Sequence, residues 1–174
     1  MAPGRRDALI LGAVALGAAA VGGVVGALAL QARSGAADLL ASRFPDLAGQ
    51  SRQLLEWQGR SLVCNFWATW CAPCREEIPL LNAAQHKYVD KGIQVVGIAI
   101  DNAANVSEFG KSVKIAYPVL LAGSAAIELM RSLGNASGGL PFTVLLDRRG
   151  RLVGRKLGAF SAADLDAAVA GLLR

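Results

Sequence analysis

Two cysteines, Cys71 and Cys74, lie three residues apart in the segment NFWATWCAPCREEIP, residues 65–79. Such a pair could bind a metal ion, crosslink the fold or exchange disulfides with another molecule. A structural zinc site needs four ligands, and the chain offers only one more cysteine, Cys64, and one histidine, His86. A disulfide across so short a loop restricts the unfolded chain very little, so it adds little stability. The sequence therefore favours a reactive pair and predicts no metal site.

The position of the pair supports this interpretation. The apolar, β-rich segment Ser61–Trp67 predicts a buried strand, and the apolar residues of Ala72–Lys91 have helical spacing. A sulfur at the start of a helix faces unpaired backbone N–H groups and the positive end of the helix dipole, which lowers the pKa of Cys71. Pro73 suits the first turn of the helix because it has no N–H to lose. Cys74 lies near the same helix face, within reach to attack a mixed disulfide.

The rest of the chain predicts an α/β scaffold around these cysteines. The continuous β-branched run Ile93–Ile100 is typical of a central parallel strand. Cys64 lies on the preceding strand and is expected to pack as a small apolar residue. Strands that alternate with helices, followed by a hairpin and a helix, indicate a sandwich with a mixed sheet. The other predicted elements are a short hairpin within residues 44–59, a helical turn at Leu54–Trp57, helices at Asn105–Val113, Ala125–Leu133 and Ser161–Leu173, and strands at Tyr117–Leu121, Phe142–Asp147 and Leu152–Leu157.

The N-terminal region contains an apolar segment without a charge, residues 8–30. At 1.5 Å per residue, a helix of this length spans about 35 Å, enough to cross a hydrocarbon core of about 30 Å. Arg5 and Arg6 precede it, so the positive-inside rule keeps residues 1–7 in the cytoplasm and exports the rest. A cleaved signal is the alternative, because Ala27–Ala29 resembles a cleavage site. We predict a cytoplasmic N-terminus (residues 1–7), a transmembrane anchor (8–30), a tether (31–43) and a folded domain (44–174).

The net charge of the chain, +5, does not indicate a nucleic-acid partner. Without residues 1–35, 15 basic and 12 acidic residues remain, a balance of only +3. The sequence has no glycine-rich phosphate loop and no nucleotide fingerprint, so we expect no cofactor. One basic cluster surrounds the predicted hairpin turn and is interpreted as a solvated edge or as a contact surface for an acidic partner. Its members are Arg148, Arg149, Arg151, Arg155 and Lys156.

Two separate motifs resemble one protein family. The segment NFWATWCAPCREEIP resembles the active-site segment of the thioredoxin fold, specifically that of the membrane-anchored TlpA/ResA/CcmG (DsbE) group of periplasmic thiol–disulfide oxidoreductases. Residues 139–143, GLPFT, resemble the loop of that family that carries a cis-proline beside the disulfide. The resemblance runs from about Phe44 to the C-terminus. It implies a thioredoxin-like α/β fold, with a mixed central sheet flanked by helices, behind an N-terminal transmembrane helix.

The resemblance implies a role for each matching residue. Cys71 corresponds to the exposed nucleophile and Cys74 to the buried resolving cysteine, and together they form the redox disulfide. Leu140 and Pro141 correspond to the cis-proline loop, in which the residue before the proline hydrogen-bonds the backbone of a bound peptide. A cis X-Pro bond is uncommon in folded proteins, so one here would be a retained feature.

Several other residues next to the cysteines match the same pattern. Trp70 and Pro73 flank Cys71 and are expected to line the exposed rim that contacts a substrate. Trp67 is expected in the core, and Pro79 corresponds to the proline that kinks the active-site helix.

One departure from thioredoxin concerns the buried acid. Thioredoxin carries a buried aspartate where this chain has Asn65, whereas the TlpA-like group has a glutamate three residues after the second cysteine, and Glu77 occupies that place. Glu77 is therefore predicted to accept the Cys74 proton, provided that burial raises its pKa. The alternative is that Glu76 and Glu77 are both solvated carboxylates in the first turn of the helix.

The resemblance also implies a function and partners. The protein would sit in the bacterial inner membrane with its catalytic domain in the periplasm, and would reduce disulfides in exported proteins. Substrates would be the haem-binding thiols of apocytochrome c or the copper-site thiols of an oxidase subunit, and electrons would come from a membrane thiol donor of the DsbD/CcdA type. Two alternatives remain: a disulfide oxidant or isomerase, or a Cu(I) chaperone that binds the metal through Cys71 and Cys74, since soft thiolates suit Cu(I).

Overall fold

The computed structural model describes residues 35–173 and, by itself, Gly26. Its strands are β1 (Arg43–Pro45), β2 (Ser51–Gln53), β3 (Ser61–Trp67), β4 (Ile93–Ala99), β5 (Val119–Leu121), β6 (Phe142–Leu146) and β7 (Leu152–Leu157). Its helices are α1 (residues 35–41), α2 (Ala72–Tyr88), α3 (Ala103–Ser112), α4 (Ala126–Ser132) and α5 (Ala162–Gly171). Five strands form one sheet in the order β5-β4-β3-β6-β7, and β1 and β2 form a separate antiparallel hairpin.

The central sheet is mixed, as predicted. β3 is parallel to β4, and β4 to β5, whereas β6 is antiparallel to both β3 and β7. Every residue of β3 and β4 is buried, which explains why both strands are largely continuous apolar runs. Leu81 of α2 and Leu165 of α5 pack in one core cluster, and Leu39 of α1 and Met130 of α4 pack in another. This arrangement is the α/β sandwich that the sequence predicts.

Most predicted elements end within two residues of the observed ones, and capping explains the differences. The helix predicted to run to Lys91 is α-helical to Tyr88 and ends after a 3-10 turn at Gly92, whose φ of 84° suits a residue without a side chain. Helix α3 begins two residues earlier than predicted because Asn102 caps it, accepting a hydrogen bond from the backbone N–H of Asn105. The hairpin and the helical turn predicted before β3 are both present.

The packed domain extends further toward the N-terminus than the predicted boundary at Phe44. Within the predicted tether, residues 35–41 form α1, and Ala36 and Leu39 of this helix are buried in the core. Their spacing of three residues places both on one helix face, an apolar signal too short to distinguish from a tether in the sequence. The predicted anchor lies outside the described residues, apart from Gly26. Between residues 35 and 173, no helix has both the length and the apolarity needed to cross a membrane.

Candidate active site

The two cysteines lie at the junction of β3 and α2. Cys71 is the residue that precedes the first turn of α2, with extended backbone dihedrals, and Pro73 occupies that first turn. Cys71 and Cys74 form a disulfide, with an S–S distance of 2.10 Å and a Cα–Cα distance of 5.3 Å. Cys71 is 7% exposed and Cys74 only 1% exposed. An incoming thiol or disulfide therefore reaches Cys71 first, at the positive end of the helix dipole.

The cis-proline loop lies beside this disulfide. The Leu140–Pro141 peptide bond is cis, as the resemblance implies. Pairing of β6 with β3 places Phe142 opposite Phe66, so the loop before β6 meets the end of β3 from which the active-site loop departs. The side chain of Leu140 packs against the cluster that contains Cys71. Within the described residues, the backbone N–H and C=O of Leu140 have no hydrogen-bond partner.

Glu77 is buried beneath the disulfide, with 1% of its surface exposed. It lies three residues after Cys74 on α2, so the two side chains share one helix face. One carboxylate oxygen, Oε1, accepts a hydrogen bond of 2.7 Å from the backbone N–H of Phe160. The other, Oε2, accepts one of 3.0 Å from Nδ2 of Asn65, which also donates to the hydroxyl of Thr143 at 2.9 Å. The acid is thus held directly by β3 and by the segment before α5, and β6 supports it through Asn65.

Burial determines the charge behaviour of Glu77. Loss of hydration raises the pKa of the Glu77 carboxyl, and this effect outweighs the hydrogen bonds from Phe160 and Asn65 and the positive charge of Lys156, which lower it. Glu76, the neighbouring carboxylate, is exposed. The solvated alternative therefore applies to Glu76 alone, and Glu77 has the burial that a proton acceptor requires.

The tryptophans near the pair occupy different environments. Trp70, which immediately precedes Cys71, is 69% exposed, and Pro73 is exposed as well. Trp67 is fully buried, and its indole packs against the ring of Phe109 at a centroid distance of 5.6 Å. These positions agree with a rim residue at 70 and a core residue at 67.

The third cysteine and the single histidine lie apart from this chemistry. Cys64 is a free, fully buried thiol on β3, and burial raises its pKa far above the usual range, which makes it unreactive. His86 is exposed near the end of α2. Cys64 thus packs in the core, as expected for a small apolar residue on this strand.

Sequence reasoning missed the residues that hold the site in place. Phe160 and Thr143 contact the Glu77–Asn65 pair from the segment before α5 and from β6, and no sequence signal links those segments to position 77. For Asp101, which contacts the active-site loop, the sequence did contain a signal of its position. It closely follows β4, and the carboxyl ends of neighbouring parallel strands meet at one edge of a sheet.

Comparison with known proteins identifies the family. The Redoxin family model matches residues 33–171. This chain belongs to the Redoxin family. Its relatives place this redoxin in the thioredoxin-like ResA/CcmG group, as the sequence motifs imply. The thiol–disulfide oxidoreductase ResA of a Bacillus cereus strain is 31% identical over 122 residues, which cover 70% of this chain and 68% of that relative.

Solved structures give the same result for the fold. A thiol:disulfide interchange protein of the thioredoxin family from Chlorobium tepidum TLS superposes with a TM-score of 0.66 and 32% identity, over 76% of this chain and 93% of that one. A putative thiol:disulfide interchange protein DsbE from Chlorobium tepidum superposes with a TM-score of 0.68 and 26% identity, over the same shares of the two chains. This redoxin therefore has a thioredoxin-like fold and is a thiol–disulfide oxidoreductase with Cys71 and Cys74 as its redox pair.

Proposed function

We propose that this redoxin is held in the bacterial inner membrane by residues 8–30, faces the periplasm, and reduces disulfides in exported proteins. The substrates would be apocytochrome c, at its haem-binding thiols, or a copper-site protein of a respiratory oxidase. A membrane thiol donor of the DsbD/CcdA type would return the enzyme to its dithiol form. The uncharged N-terminal segment and the likeness to ResA and DsbE proteins support this proposal.

The geometry supports a two-step exchange. In the dithiol form, the Cys71 thiolate attacks one sulfur of a substrate disulfide, and the other substrate sulfur leaves as a thiolate that takes up a proton. Cys74 then transfers its proton to Glu77 and attacks the Cys71 sulfur, which breaks the mixed disulfide. The second substrate sulfur leaves as a thiolate and takes up a proton from water or from Glu77. Two electrons have then passed to the substrate, and the Cys71–Cys74 disulfide remains.

The burial of Glu77 beside Cys74 is the observation that supports reduction, rather than oxidation, of substrates. A carboxyl whose pKa is raised accepts a proton more readily at neutral pH, as the second step requires. A buried acid also disfavours a negative charge on the nearby cysteine sulfurs. The buried Trp67 and Ile78 disfavour a thiolate as well, because they exclude water. Strong oxidants depend on a highly stabilised thiolate. These surroundings oppose that stabilisation and favour a reductant.

The reduction potential of the Cys71–Cys74 couple tests this direction. The full-length protein is equilibrated with glutathione buffers of defined ratio, and its free thiols are then alkylated and counted. We expect a potential between those of thioredoxin and protein disulfide isomerase, about −270 to −180 mV. A potential near that of DsbA, about −120 mV, would mean that the protein forms disulfides and would overturn the proposal.

A further inference from the structure

One carboxylate outside the redox pair holds the loop that leads into Cys71. Oδ2 of Asp101 accepts two hydrogen bonds from Thr69, one from the hydroxyl at 2.5 Å and one from the backbone N–H at 3.2 Å. Thr69 is the middle residue of the segment Ala68–Trp70, which leads from β3 to Cys71. The other hydrogen bond of this loop, from the Cys71 N–H to the Ala68 carbonyl, joins the loop only to its own end. Among the described residues, Asp101 is therefore the side chain that joins this loop to the rest of the fold by hydrogen bonds.

The second oxygen of Asp101 fixes the carboxylate itself. Oδ1 accepts hydrogen bonds from the backbone N–H of Asn102 at 2.8 Å and from Nδ2 of Asn105 at 2.7 Å. Burial alone would raise the pKa of Asp101, but the hydrogen bonds from Thr69, Asn105 and Asn102 outweigh it and hold the pKa below the usual range. Asp101 is thus a carboxylate at neutral pH, and both of its oxygens accept hydrogen bonds.

The helix that follows Asp101 is packed against the elements that hold the disulfide. Phe109 of α3 contacts the buried Trp67 at the end of β3, at a centroid distance of 5.6 Å. The guanidinium of Arg75, on α2, lies 5.7 Å from the centre of the same Phe109 ring. Beside Asp101, the backbone N–H of Ile100 donates to the carbonyl of Trp67 at 2.8 Å. The position of Asp101 relative to the active-site helix is therefore set by packing on two sides.

We propose that Asp101 is a positioning residue for thiol–disulfide exchange: through Thr69, it fixes the orientation in which Trp70 and Cys71 meet a substrate disulfide. The inference depends on the redox role of Cys71 and not on the direction of electron flow. Attack on a disulfide needs the entering sulfur in line with the bond that breaks, and a misplacement of about 1 Å can cost about 100-fold in rate. Asp101 contacts Thr69 and no reacting sulfur, so it acts only through the loop.

The test uses the full-length protein, reduced beforehand. Asp101→Ala removes both hydrogen bonds to Thr69, and Thr69→Val removes the shorter one, from the hydroxyl. The rate of reaction with a disulfide-bonded peptide is measured for each, and the pH profile of Cys71 alkylation by iodoacetamide gives the thiol pKa. We expect both variants to exchange about ten- to a hundredfold more slowly than the wild type, with an unchanged Cys71 pKa. Thr69→Ser keeps the hydroxyl and should restore most of the rate.

Asp147→Ala is the matched control for general loss of structure. Asp147 is also a partly buried loop carboxylate, and it accepts hydrogen bonds from the backbone N–H groups of Arg149 and Arg151 at 2.9 and 3.0 Å, in the turn between β6 and β7. The Asp147→Ala variant should exchange disulfides at the wild-type rate. The proposal is overturned if Asp101→Ala and Thr69→Val both react at the wild-type rate, or if Asp147→Ala slows as much as they do. It is equally overturned if only Asp101→Ala slows and its Cys71 pKa shifts, because Asp101 would then act through its charge.

The result is separable from the proposed reductant function. A potential near that of an oxidant would change the direction assigned to the enzyme, but the variants are compared with the wild type in one exchange reaction. That comparison stays informative whichever way electrons flow.

Discussion

Asn65 donates a hydrogen bond of 3.0 Å to the carboxylate of Glu77, so a neutral amide on β3 holds the buried acid of α2. In thioredoxin the strand position itself carries the acid, whereas here the strand supplies a donor and the helix supplies the carboxylate. The acid consequently lies about one helical turn from Cys74, on the same helix face.

Replacing Glu77 with Gln should slow disulfide exchange by about 100-fold near neutral pH while preserving the fold, because the Cys74 proton loses its acceptor. The amide can be accommodated because Asn65 Oδ1 has no partner among the described residues and can accept a hydrogen bond once Asn65 turns its amide over. Stopped-flow exchange with a peptide disulfide measures the rate. Glu76→Gln, on the exposed neighbour, is the control, and equal rates in the two variants would remove Glu77 from the mechanism.

Glu77 should also make stability depend on pH. Its folded-state pKa is raised above the ordinary value of 4.5, so the unfolded chain releases this proton at lower pH than the folded protein does. Stability should therefore fall as pH rises through the interval from about 4.5 to the folded pKa, and then level off. A rise of one pKa unit corresponds to about 1.4 kcal/mol. Urea unfolding at several pH values should show this fall in Glu76→Gln and lack it in Glu77→Gln.

The two redox cysteines should differ when each is replaced. Cys74→Ser leaves the more accessible Cys71 able to attack but without a thiol to release the product, so mixed disulfides with partner proteins should accumulate. Cys71→Ser should accumulate none. Non-reducing gels after rapid alkylation count the adducts, and Cys64→Ala in the Cys74→Ser background should leave them unchanged. Equal trapping by the two single variants would show that the assignment of the nucleophile is wrong.

Gly97 should tolerate no side chain. A Cβ there would lie 3.0 Å from Nε1 of Trp67 and 3.0 Å from Cε2 of Tyr117, and both rings are buried. Gly97→Ala should therefore lower the free energy of unfolding by about 1–3 kcal/mol, as overpacked cores do. Gly110→Ala, in α3 with no atom within 4 Å of the added Cβ, should instead raise it by about 0.5–1 kcal/mol. Denaturant titration compares the two, and equal effects would contradict the packing argument.

The sequence was informative where the signal is local. The run Ser61–Trp67 and the cysteine pair behind it predicted the strand, the helix and the reactive site, because buried parallel strands and helix starts have characteristic compositions. The last helix was predicted to start at Ser161, and the Ser161 hydroxyl caps that helix by accepting a hydrogen bond from the Asp164 N–H. These features depend on residues within a few positions of one another.

The contacts missed from the sequence join distant segments. Glu77 meets the backbone of Phe160 across 83 positions, and Thr69 meets Asp101 across 32. A backbone N–H leaves no trace in residue type, and the place of Asp101 after β4 indicates the edge of the sheet but not the residue that it contacts. Helix α1 was missed for a related reason, since its burial depends on a core that other segments build.

Helix α1 also determines how far the redox disulfide can travel if residues 8–30 span the membrane as proposed. A tether of residues 31–43 could reach at most about 45 Å, whereas the four residues between position 30 and the described part of α1 could reach at most about 14 Å. The volume that the start of α1 can reach then shrinks about thirtyfold, which keeps the domain near the membrane and raises its effective concentration toward a partner in the same membrane. A thiol donor embedded there would meet the disulfide often, whereas an exported substrate would have to come to the membrane surface to be reduced.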